Sequence, residues 1–158
     1  MKTNSIPRRR TMAMVLLACT AVPAMTANAQ DLVGCARQFD VAQRTDMESF
    51  RDFDAETFRA MHDERAVTVF TSGARRTGID AIMATFASHF QNRNATWEWT
   101  ELYRVVDGCR SAYILYETKY QIPSVGFRQR ALTGVTYTHV GDHWLSISDQ
   151  GTPLPWVD

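Results

Sequence analysis

The stretch "FRQRALTGVTYTHVGDHWLSISDQ", Phe127–Gln150, decides how this chain folds. It reads as two strands, Phe127–Val140 and His143–Gln150, joined by Gly141-Asp142, a pair suited to a two-residue hairpin turn. That turn sets Val140 opposite His143 and His139 opposite Trp144. Successive side chains of a strand point to opposite faces, so His139 and His143 diverge. On a helix the same spacing would make them convergent metal ligands; on this hairpin it does not. One face carries Tyr137, His139, Trp144, Ser146 and Ser148. The other carries Leu145, Ile147 and Asp149 with Leu132, Gly134, Thr136 and Thr138, and its aliphatic content predicts that it is the packed, concave face. Gly134 reads as a bulge or bend.

Upstream, "ATWEWTELYRVV" (Ala95–Val106) alternates Trp97, Trp99 and Tyr103 with Glu98, Thr100 and Arg104, as a strand does. Asp107-Gly108 is a turn, and "SAYILYETKY" (Ser111–Tyr120) is another strand. The first half of the chain reads differently. Phe39, Ala42, Met47 and Phe50 recur at helical spacing, and Asp54 suits the N-cap of a short helix over Ala55–His62. "AVTVF" (Ala66–Phe70) is strand-like, "SGARRTG" (Ser72–Gly78) is a turn, and Ile79–Phe90 repeats a helical stripe of Ile79, Ile82, Met83, Phe86 and Phe90. Helices first and long antiparallel strands after them predict an α+β domain.

The N-terminus is a separate object. Lys2 and Arg8–Arg10 precede the apolar run Thr11–Met25, and Ala27-Asn28-Ala29 has the small-x-small pattern of a peptidase site. A bilayer span needs about 20 apolar residues, and this run is shorter and interrupted by Pro23. Residues 1–29 are therefore expected to be a removed export signal, placing the protein in the periplasm or outside the cell, with no stable membrane span. "RRRTMAM" partly resembles a twin-arginine signal, and "LLAC" (Leu16–Cys19) partly resembles a lipoprotein box that would leave Cys19 lipidated.

Removal of that segment takes 4 of the 17 basic residues and none of the 17 acidic ones, leaving a formal charge of −4. Nucleic-acid binding calls for a concentrated positive surface, which Arg75-Arg76 alone does not supply. Cys35 and Cys109 are the two remaining cysteines. In an oxidising compartment they can close a loop of about 75 residues as a disulfide, worth about 4 kcal/mol; two buried thiols are the other reading.

Three segments resemble the nuclear transport factor 2-like superfamily, in particular its SnoaL-like bacterial branch. "FDAETFRAMHDERAVTVF" (Phe53–Phe70) is similar to its short helix running into a first strand, and "SGARRTGIDAI" (Ser72–Ile82) to the glycine-to-glycine hairpin and following helix. "GDHWLSISDQGTP" (Gly141–Pro153) is similar to the closing strand. The resemblance implies one domain over residues 30–158, with N-terminal helices packed in a strongly bent antiparallel sheet, a cone-shaped α+β barrel. It further implies a pocket at the open end and a homodimer formed through the sheet. Members include isomerases, cyclases and dehydratases, beside many proteins of no known activity. Fold does not settle function.

Asp149 is the candidate catalytic group. A carboxylate in an apolar cavity has its pKa raised by desolvation and becomes a general acid or base. The other reading is that it accepts hydrogen bonds from the adjoining "QGT" turn. Tyr116, Arg130, Trp99 and Tyr103 are the candidate pocket-lining residues: Tyr116 as a hydroxyl beside Ile114, Arg130 as a partner for Asp149 or an acidic ligand, and the aromatics as apolar wall. Core or sheet surface is the alternative for each. His62-Asp63 looks like an acid/base pair, but its place predicts a histidine at a helix C-terminus. Gly73 and Gly78 do not have phosphate-loop spacing, and no nucleophile elbow, dinucleotide fingerprint or metal constellation is present. Neither a cofactor nor a nucleic-acid partner is expected. Three roles remain open: binding of a small, largely apolar molecule, cofactor-independent acid/base isomerisation or elimination, and an interaction module whose interior is filled by side chains.

Overall fold

The structure, a computed structural model, describes residues 29–157. The export signal expected over residues 1–29, with Cys19, lies outside them except for Ala29. Among the described residues no helix is long and apolar enough to cross a membrane.

Helix α1 (Ala29–Arg51) buries Cys35, Phe39, Met47 and Phe50, the stripe expected from their spacing. Asp54 caps α2 (Ala55–Ala60), its Oδ1 accepting the Thr57 N–H at 3.1 Å. The helix expected to reach His62 stops earlier, and strand β1 (His62–Val69) begins there instead. The physical reason is a tertiary hydrogen bond: the Ser146 N–H donates to the Met61 carbonyl at 2.8 Å, drawing the chain into the sheet. Strand β2 (Arg75–Thr77) folds back on β1, and α3 (Ile79–Asn92) follows, burying Ile79 and Ile82.

Strands β3 (Thr96–Asp107), β4 (Ser111–Ile122), β5 (Phe127–Val140) and β6 (His143–Leu154) form a meander, in the sheet order β2-β1-β6-β5-β4-β3. The sheet is mixed rather than purely antiparallel, because β1 returns beside β6 in parallel. It is an open, strongly curved sheet around helices, an α+β cone. The hairpin turn sets the register that Gly141-Asp142 predicts, with Val140 opposite His143 and His139 opposite Trp144.

Which face is buried differs from expectation. Ala131, Val135, Tyr137, Trp144 and Ser146 turn inward, whereas Leu132 and Leu145 lie outside. Aromatic volume decides it: Phe39 of α1 packs its ring 5.2 Å from Tyr137 and 5.0 Å from Trp144. Gly134 is not a bulge, since its pairing with Leu115 and Gln150 is unbroken. Its missing side chain makes room for Tyr113 instead; a Cβ there would sit 2.6 Å from the tyrosine hydroxyl. The irregularities fall at Leu102 in β3, at Ile147 in β6 and, in the parallel pair, between His62 and Val67 of β1. A disulfide joins Cys35 to Cys109, with Cα atoms 5.3 Å apart and a sequence separation of 74, tying α1 to the β3–β4 turn.

Candidate functional site

Helix α1 fills one end of the cone with Phe39, Tyr116, Tyr137 and Trp144. Between the other end of α1, α3 and the sheet lies a cavity of about 360 Å³. Phe50, Phe58, Phe70, Phe86 and Phe127 give it an apolar wall, and Asp46, His62, Thr68, Ser146 and Asp149 form its polar floor.

Asp149 owes its place to the bulge. Tyr137 pairs with Ser146 and Thr136 with Ser148, so Ile147 is an extra residue on β6. The extra residue lets Trp144, Ser146 and Asp149 share the inner face, which strict alternation forbids. Asp149 therefore faces the cavity beside Ser146, not beside Leu145 and Ile147. Its Oδ2 accepts the Thr68 hydroxyl at 2.8 Å across the parallel β1–β6 pair. Burial pushes its pKa up to about 6, against the opposing pull of the Thr68 hydrogen bond and of His62, while Asp46 adds to the rise.

Asp46 sits on α1 at 5% exposure. Its Oδ2 accepts the Tyr137 hydroxyl at 2.7 Å, and its Oδ1 lies 3.8 Å from His62 Nδ1. Burial raises its pKa, opposed by His62 and by Tyr137; burial likewise pushes the Tyr137 phenol up. His62 Nδ1 is 2.7 Å from the Phe58 carbonyl. A carbonyl only accepts, so Nδ1 carries the hydrogen and Nε2 is the ring nitrogen left for the cavity. Ser146 Oγ is buried at 1% residue exposure with no hydrogen-bond partner. On the far wall, His89 Nε2–H donates to the Phe50 carbonyl at 2.7 Å, its ring stacked on Phe50, and Nδ1 accepts the Tyr120 hydroxyl at 3.0 Å. Burial lowers the His89 pKa and keeps the ring neutral. No three potential metal ligands converge among the described residues.

Of the residues singled out from sequence, Asp149 lines the cavity and the four expected wall residues do not. Tyr116 is fully buried at the filled end, donating to Gln43 Oε1 on α1 at 2.7 Å. Trp99 faces inward but packs under α1, with the Arg51 guanidinium 5.5 Å from its ring centre. Tyr103 is turned outward by the extra residue Leu102. Arg130 lies on the outer face, its Nε donating to Glu117 Oε1 at 2.7 Å, so it does not meet Asp149. His139 packs on Trp144 while His143 is exposed on the opposite face.

Asp46 is the residue that sequence reasoning missed, and His62 is one that it places at a helix end instead of at the site. Asp46 falls on the apolar stripe of α1 between Phe39 and Phe50, and a carboxylate on a buried stripe was the signal available. For His62 the signal was its pairing with Asp63, and the helix end expected there gives way to a strand that depends on Ser146, far along the chain.

No protein-family model matches the sequence, and comparison with curated proteins returns no match. Solved structures do match the fold. A nuclear transport factor 2-like protein of unknown function from Shewanella oneidensis superposes with a TM-score of 0.63 at 11% identity, covering 74% of this chain and 98% of that one. A ketosteroid isomerase-like protein from Erwinia carotovora atroseptica gives 0.61 at 12% identity, covering 80% and 98%. A protein with a cystatin-like fold from Caulobacter vibrioides gives 0.64 at 13% identity, covering 77% and 91%.

Proposed function

We propose, taking the nuclear transport factor 2-like fold as the premise, that this protein binds a small, largely apolar organic molecule in its cone. The cavity carries the reading. About 360 Å³ of space walled by phenylalanines and floored by a few polar groups has the size and chemistry of a ligand site. It also speaks against an interaction module whose interior is filled by side chains. Native mass spectrometry of the protein purified from its own compartment tests this. A co-purifying mass that disappears on unfolding is expected; failure to retain any apolar probe at millimolar concentration would overturn it.

A second reading, cofactor-independent isomerisation or elimination, is favoured by Asp149 and His62 sharing one polar floor. Asp149, titrating near 6, can take a proton from carbon next to a carbonyl at neutral pH. It can return that proton to a neighbouring carbon, or protonated His62 can deliver one to a leaving hydroxyl, which departs as water. Deuterium exchange into cyclic ketones, followed by NMR, separates the two readings. Exchange that Asp149→Asn abolishes supports catalysis, and exchange at the buffer rate counts against it.

The SnoaL-like branch, export and dimerisation belong to the same proposal. Export is supported by the basic and apolar leader and by the Cys35–Cys109 bond, which suits an oxidising compartment. A homodimer through the outer sheet face is supported by Leu102, Tyr103 and Val105, which stand 50%, 56% and 47% exposed.

A further inference from the structure

The charges lining the cavity do not balance. Asp46 of α1 and Asp149 of β6 are its two carboxylates, and no lysine or arginine is among its described lining residues. His62 of β1 can carry one positive charge between them. His89 of α3 is kept neutral by burial and hydrogen bonds both ring nitrogens, one of them to Tyr120 of β4. Tyr137 of β5 spends its hydroxyl proton on Asp46. With both carboxylates ionised and His62 charged, the site is still one positive charge short. A buried carboxylate without a countercharge is costly, so something must supply it: a shared proton or a cationic ligand.

Two further observations point to the ligand. The phenylalanine wall, together with Trp97 and Tyr120, offers ring faces to which an ammonium group is attracted. At the floor, Ser146 Oγ is buried and unpartnered, and Asp149 Oδ1 has no hydrogen bond, its Thr68 contact being made through Oδ2. An N–H donor in the cavity would satisfy Asp149 Oδ1.

We propose that the cavity selects an organic cation, a protonated amine on an aromatic or alicyclic body, with the ammonium held by Asp149 and the body against the rings. The inference rests on the reading that the cone binds a small molecule, and it adds the charge of that molecule.

The test uses three naphthalene probes of one shape, 2-naphthylmethylamine, 2-naphthalenemethanol and 2-naphthoate, titrated calorimetrically into the whole protein near neutral pH. The amine, protonated there, is expected to bind roughly tenfold more tightly than the alcohol, with the naphthoate weakest. Asp149→Asn is expected to erase the roughly tenfold preference for the amine over the alcohol. The wild-type protein gives the same information without a variant. Acidification through the Asp149 titration near 6 neutralises that carboxylate and weakens the amine relative to the alcohol. An alcohol that matches the amine, or a naphthoate that binds best, overturns the inference and leaves the small-molecule reading standing. If none of the three binds, both fall.

Discussion

Thr68 Oγ1 donates to Asp149 Oδ2 at 2.8 Å, across the one parallel strand pair of the sheet. The bond joins the first strand of the chain to its last at the cavity floor, and it opposes the rise in Asp149 pKa that burial imposes.

Thr68→Val keeps the shape and removes that donor. The Asp149 pKa is expected to climb further above 6, because the hydrogen bond favours the ionised form. A carboxyl carbon NMR titration measures it directly. An unchanged midpoint would mean that burial alone sets the value.

Asp149→Asn should stabilise the protein at neutral pH. The folded carboxyl titrates near 6 and the unfolded one near 3.8. Between those values the folded chain holds a proton that the unfolded chain has lost, so stability falls as pH rises through the window. Above it the ionised carboxylate costs on the order of 3 kcal/mol. Denaturant unfolding at neutral pH should show the variant ahead, with the advantage shrinking as pH approaches 4. A variant less stable than wild type at neutral pH would contradict the assignment.

Deleting Ile147 should be tolerated. Without the extra residue, Tyr137–Ser146, Thr136–Ser148 and Val135–Asp149 become consecutive rungs of a regular ladder, and Asp149 still faces inward. A folded deletion variant whose Asp149 keeps its raised titration is the expected result. Return of Asp149 to ordinary carboxylate behaviour would contradict the assignment of Ile147 as the extra residue.

Cys35→Ser with Cys109→Ser should lower stability by about 4 kcal/mol, the two cysteines being 74 positions apart. Intact mass after alkylation of the denatured wild-type protein should show neither cysteine modified. Modification of both would remove the disulfide.

Local pattern was sufficient where local forces decide. The stripe of Phe39, Met47 and Phe50 specified α1, Asp54 specified the start of α2, and Gly141-Asp142 specified the hairpin and split His139 from His143, since each depends on residues within a turn or two. Counting left Cys35 and Cys109 as the one pair available after residue 29, and their 5.3 Å Cα separation decided for the bond over two thiols. The face of the sheet that turns inward did not follow from alternation. Two extra residues, Leu102 and Ile147, each shift the period by one, and nothing in their side chains marks them as bulges. That is why Tyr103 points outward and why Asp149 reaches the cavity with Ser146 rather than with Leu145.

The sequence by itself determined an α+β chain, its element order, its hairpin register and one carboxylate worth attention. Tertiary structure alone decided the company that carboxylate keeps. Asp46, His62 and Thr68 come from elements that meet Asp149 only when β1 lies parallel to β6 and α1 closes over the sheet. Their chemistry depends on burial and on distances of a few ångströms between residues up to a hundred positions apart, and neither quantity is present in a linear pattern.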